Sequence, residues 1–83
     1  MITVGVMKQD REEKDLKAFG KKLGELRRAH SYTQESLAEK VGMTAHSLAL
    51  IEQGQRWPRL TTLHRIAKGI GVPTKDLLDG LKQ

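Results

Sequence analysis

Apolar residues recur along most of this chain at helical rather than strand spacing. Leu16, Phe19, Leu23 and Leu26 follow one another at steps of three, four and three, which is one face of a helix. Leu37, Ala38 and Val41 mark the inner side of a second segment, and Leu48 and Ile51 that of a third. Leu60, Leu63, Ile66, Ala67 and Ile70 trace a fourth, and Leu77, Leu78 and Leu81 are the apolar residues of the last. The residues between these segments are stop and start signals. Gly42 suits the left-handed conformation that closes a helix, and Thr44 is a good N-cap for the next. The pattern therefore predicts helix two over about residues 34–41 and helix three over about residues 45–53, ended by Gly54. Pro58 disfavours helix at its predecessor. Gly71 stops the fourth helix, and Pro73 or Thr74 opens a fifth. Two short helices joined by so tight a turn, each with one apolar face, make a helix-turn-helix.

The beginning of the chain reads differently. Ile2-Thr3-Val4 is a short β-like run, and the alternatives are a frayed terminus or an arm that crosses to a partner subunit. The acidic front of Asp10 to Glu13 suits the opening turn of helix one, where negative charge meets the positive end of the dipole. Residues 1–14 are thus expected to be an N-terminal arm or helix extension, residues 15–81 a helix-turn-helix domain, and residues 82–83 a frayed end. Gly20 and Gly24 lie inside helix one. Each weakens it by about 1 kcal/mol relative to alanine, unless close helix packing requires them.

Composition narrows the function classes. The 83 residues allow one small domain. With Phe19, Tyr32 and Trp57 as its three aromatics, the core must be mainly aliphatic, and a core this small gains from dimerisation. A formal charge of +5 favours an anionic partner. Without cysteine there is no disulfide and no cysteine-ligated zinc. His30, His46 and His64 fall on different elements, no Gly-rich phosphate loop is present, and no carboxylate pair suggests a catalytic pocket. The expectation is a protein that is not an enzyme and carries neither metal nor cofactor. No apolar run approaches a membrane span and no signal-peptide pattern is present, so a cytoplasmic protein is expected.

The run from Thr33-Gln34 through Leu37-Ala38, Val41-Gly42, Ile51-Glu52, Gly54, Pro58, Leu63, Ala67 and Gly71-Val72 to Leu77-Leu78 resembles the Cro/phage-repressor type of helix-turn-helix, the XRE family. With the helix before it, the resemblance covers about Lys17 to Leu81. It implies a compact, all-α, five-helix fold like that of lambda repressor, double-stranded DNA as partner, and a bacterial or phage protein. It also implies that Gln34 lies across the DNA backbone and steadies the reading helix, and that Arg27 of helix one pairs with Glu52 as a structural ion pair. Carried over residue by residue, its base-contact positions fall on Ala45, His46 and Leu50.

A helical wheel of 100° per residue centred on Leu48 places His46, Ala49, Leu50 and Gln53 on the opposite face, with Ala45 at its side. In this motif the second helix enters the major groove, so Ala45, His46, Ala49 and Leu50 are the candidate base contacts. His46 can donate to guanine or accept from an amino group, whereas the alanines and Leu50 can touch only thymine methyls or other apolar atoms. Phosphate has better-suited candidates. Thr33 and Gln34 open helix two, where free N–H groups favour an anion. Gln53, Gln55, Arg56 and Arg59 surround the loop after helix three, and arginine holds phosphate in two-pronged geometry. Trp57 is expected to cover helix ends rather than stack on a base.

The reading is a sequence-specific, double-stranded-DNA-binding transcriptional regulator acting as a homodimer, with Leu77, Leu78 and Leu81 as the candidate dimer interface. The rival is a protein-interaction module of antitoxin or anti-repressor type, which keeps the fold but turns Ala45, Ala49 and Leu50 toward a protein partner. Thr33 to Gln53 carries one lysine against three glutamates, so DNA binding would depend on flanking cations. A further rival is a sequence-indifferent architectural binder, suggested by the lack of Lys or Arg in helix three.

Overall fold

The computed structural model describes the backbone of residues 2–79 and 81, and side chains from residue 12 onward among these. The chain is all-α, with five helices: α1 (Ile2–Ala29), α2 (Gln34–Val41), α3 (Ala45–Glu52), α4 (Leu60–Ile70) and α5 (Thr74–Leu77). The expected fraying at 82–83 lies outside the described residues.

Two expectations at the start of the chain are corrected. The Ile2-Thr3-Val4 run is helical, and α1 opens at Ile2 rather than near Asp10. No strand among the described residues offers these backbone groups a ladder, so intrahelical bonds satisfy them instead. β-Branched residues lose only a few tenths of a kcal/mol per position in a helix. Asp10 to Glu13 accordingly lie within α1, and its first turn holds no acid. The 28 residues of α1 reach about 42 Å at 1.5 Å each, which matches the molecule's long dimension of 44 Å.

All five helices contribute to one core. Phe19 and Leu23 come from α1, Leu37, Ala38 and Val41 from α2, Leu48 and Ile51 from α3, Leu63, Ile66, Ala67 and Ile70 from α4, and Leu77 from α5. Leu60 departs from the expected apolar stripe. It is the first residue of α4 and is 77% exposed. Leu77 also departs from expectation. It is fully buried within the subunit, while Leu81 packs against the core and only Leu78 is exposed. Since α5 is a single turn, one face of it must complete the core, and Leu77 is the residue that does so.

The helix-turn-helix is fixed by its caps. Thr33 and Ser36 form a reciprocal capping box: the Thr33 hydroxyl accepts from Ser36 N–H, and Thr33 N–H donates to Ser36 Oγ, both at 2.9 Å. Gly42 ends α2 at φ 80°, and Met43 N–H donates to the Ala38 carbonyl at 2.9 Å. This is the left-handed closure that glycine permits. Thr44 then caps α3 by accepting from Ser47 N–H at 3.0 Å.

Candidate nucleic-acid interface

α3 is held at its C-terminal end by a buried polar cluster. Arg27 Nε donates to Glu52 Oε2 at 2.7 Å and Nη2 donates to Oε1 at 3.1 Å, with the two side chains 9% and 7% exposed. Arg27 Nη1 donates to the Tyr32 carbonyl at 2.8 Å, and Gln34 Nε2 donates to Glu52 Oε1 at 3.0 Å. One arginine thus ties α1 to α3 and to the loop before α2, and Gln34 ties α2 to the same carboxylate. No buried side-chain nitrogen or oxygen among the described residues lacks a partner. That is the condition under which a buried charge pair is tolerated.

Two glycines bring α1 close enough for this cluster to form. A Cβ at Gly20 would lie 2.5 Å from the carbonyl oxygens of both Ile51 and Glu52. A Cβ at Gly24 would lie 3.2 Å from Glu52 Oε1. The backbone of α1 therefore packs directly on the end of α3. This is a packing reason for two residues that would otherwise only weaken a helix.

On the outward face of α3, His46 and Gln53 are exposed, while Ala49 and Leu50 are half-buried. Ala45 is half-buried and packs against the core, so part of its methyl is already used within the subunit. Around this face stand the other candidates. Thr33 is exposed at the start of α2. Ser36 and Leu37 N–H are bonded to Thr33, which leaves the first N–H groups of α2, at Gln34 and Glu35, without an intrahelical partner. Gln55, Arg56 and Arg59 are exposed in the loop after α3, with Gln55 Nε2 donating to Gln53 Oε1 at 3.1 Å. Neither Arg56 nor Arg59 is in an ion pair among the described residues. Trp57 lies against Phe19, ring centroids 5.4 Å apart, and remains 43% exposed. It therefore covers a side chain of α1, a partner that the spacing of α3 and α4 does not indicate.

Sequence reasoning missed a second basic cluster. Lys40 of α2 and Arg65 and Lys68 of α4 line a groove of about 330 Å³ together with Val41 and Gly69. Arg65 Nη1 donates to the Val41 carbonyl at 3.4 Å, and Lys40 Nζ donates to the Tyr32 hydroxyl at 2.6 Å. Only the packing of α2 on α4 joins these cations, although the three-residue spacing of Arg65 and Lys68 already put those two on one face.

Residues 23–77 match the HTH_3 helix-turn-helix family model, which takes in all of α2, α3, α4 and α5 with the end of α1. The chain belongs to the HTH_3 helix-turn-helix family. A family relative from Methanocaldococcus jannaschii, described as an HTH-type transcriptional regulator, is 39% identical over 56 residues, covering 68% of this chain and 85% of its own. The cryptic phage CTXphi transcriptional repressor RstR of Vibrio cholerae is 32% identical over 60 residues, covering 72% and 54%. Among solved structures, the restriction-modification controller protein C.AhdI from Aeromonas hydrophila superposes with a TM-score of 0.74 at 33% identity, covering 76% of this chain and 96% of its own. This HTH_3 chain thus shares both sequence and fold across its helix-turn-helix core. Among the described residues no group of His, Cys, Asp or Glu is arranged to hold a metal ion, and no helix is long and apolar enough to cross a membrane.

Proposed function

We propose that this protein is a transcriptional regulator that binds double-stranded DNA as a homodimer, with α3 in the major groove. The observation that carries the proposal is the arrangement around α3. Its outward face holds His46, with Gln53 at its C-cap, and it is flanked by the open start of α2 and by two arginines that are in no ion pair among the described residues. The regulators and repressor among the relatives favour this reading over a purely protein-binding role. Thr33 and Gln34 take one phosphate strand at the start of α2, where the backbone N–H groups of Gln34 and Glu35 are free, the Thr33 N–H being held by Ser36 Oγ. Gln53, Gln55, Arg56 and Arg59 take phosphate beside α3. His46 reads a base edge, and Ala45, Ala49 and Leu50 make apolar contacts. Leu78, with the half-buried Leu81 beside it, meets the partner subunit, and Leu77 supports them from within the core.

Salt dependence tests the phosphate assignment. Replacing Arg56 or Arg59 by alanine should weaken binding to all duplexes alike and lower the magnitude of the log K against log salt slope by about 0.9 per lost contact. A change in base preference with an unaltered slope would contradict it. His46→Ala tests base reading. It should cost about 1–3 kcal/mol on the preferred site and little on other sequences, while leaving thermal stability nearly unchanged because His46 is exposed. Equal loss on every sequence would remove His46 from base readout.

A further inference from the structure

A cavity of about 380 Å³ opens between the turn before α3, α3 itself and the loop leading to α4. Met43, Ile51, Trp57 and Pro58 form its apolar lining. Arg56, Arg59, Ser47 and Thr62 add two guanidinium groups and two hydroxyls, and no carboxylate among the described residues lines it. Its volume lies in the range of small-molecule sites, which combine an apolar wall with a few convergent polar groups. We propose that this cavity binds a small amphipathic carboxylate, one with a compact aromatic or branched aliphatic body.

The lining selects that chemistry. A guanidinium pairs a carboxylate through two parallel hydrogen bonds, and two such groups at the rim disfavour amines. Met43 and Pro58, over the buried Ile51, give the apolar body a surface that removes it from water. Trp57, fixed on one side by Phe19, offers an aromatic wall. A phosphodiester strand has no group to fill such a space, so DNA would engage the arginines and leave the apolar part empty. A bound acid would then draw Arg56 and Arg59 away from DNA. That antagonism rests on the phosphate role proposed above, whereas binding of the acid does not.

Trp57 is the chain's one tryptophan, so its emission reports on the cavity directly. The probe is 3-phenylpropanoate, titrated into the DNA-free protein, with 3-phenylpropanamide as its neutral counterpart. The acid should shift Trp57 emission saturably, with a dissociation constant of about 1 mM for a ligand of this size. The amide should bind at least tenfold more weakly, and Arg56→Ala and Arg59→Ala should each weaken the acid severalfold. Ser47→Asp places a carboxylate in the cavity at an early position of α3 where acid suits the helix, and it should abolish binding of the acid with helicity retained. No emission change, equal response to acid and amide, or full binding by a folded Ser47→Asp variant would overturn the proposal. Acid binding together with unaltered DNA affinity in the arginine variants would uphold the site and withdraw the phosphate role instead.

Discussion

Replacing Gly20 by alanine should lower the midpoint of thermal unfolding by roughly 10–25 °C, the equivalent of about 3 kcal/mol in a domain of this size. Alanine is the better helix former by about 1 kcal/mol, so a helix judged alone would gain from the change. The added methyl would instead sit 2.5 Å from the Ile51 and Glu52 carbonyl oxygens. Both atoms are backbone at the end of α3, and neither can swing aside as a side chain would. Relief requires α1 and α3 to separate, which disturbs Phe19 and Leu23 beneath them and the Arg27–Glu52 pair beside them. Overpacking of this kind costs about 1–3 kcal/mol, occasionally more, and a backbone collision belongs at the upper end. Gly24→Ala is the internal control. Its methyl meets the tips of the Arg28 and Glu52 side chains at 3.2 Å, so its net effect should stay within about 1 kcal/mol of wild type. Thermal melts of the two variants followed by circular dichroism check the contrast. Equal melting temperatures would mean that α1 does not rest on α3 at Gly20.

Arg27→Ala should destabilise the protein by about 3–5 kcal/mol, since it leaves the Glu52 carboxylate buried without its counter-ion. It also removes the donor to the Tyr32 carbonyl, which loosens the loop from which α2 starts. Gln34 would remain as a donor to Glu52, but a neutral amide does not offset a full charge. The pair as a whole contributes far less than either deletion suggests, because desolvation of both ions opposes their attraction. Arg27→Met combined with Glu52→Leu should therefore recover most of the stability lost in Arg27→Ala. Urea denaturation of Arg27→Met, Glu52→Leu and the double variant measures the coupling. A double variant as unstable as the sum of the singles would show that the two side chains act independently.

Much of the fold was legible because its signals are local. Gly42 and Thr44 set the turn of the helix-turn-helix by backbone conformation and capping alone, and both act within a few residues of themselves. The apolar periodicity marked most of the core for the same reason. What escaped depends on neighbours distant in sequence or on the ends of elements. Nothing near Ile2-Thr3-Val4 states that no strand will pair with it. The wheel for α4 cannot show that Leu60 is exposed, and the three leucines of the last segment do not reveal that Leu77 is the one fully buried. Trp57 against Phe19 and the Lys40–Arg65–Lys68 groove arise only when separate helices pack. At the interface, the outward positions of His46 and Gln53 follow from helix geometry. The close approach at Gly20 was open in the sequence as one of two meanings of a mid-helix glycine, and the partner that decides between them is 31 residues further on.

Selection of bound fragments from random duplex DNA by the purified full chain tests the central proposal most directly. A homodimer with α3 in the major groove should enrich a pseudo-palindrome whose half-site centres lie about one helical turn, roughly 34 Å, apart. Sedimentation should find two subunits on each selected duplex. Absence of any enriched motif, together with no binding at low salt, would contradict DNA recognition by α3.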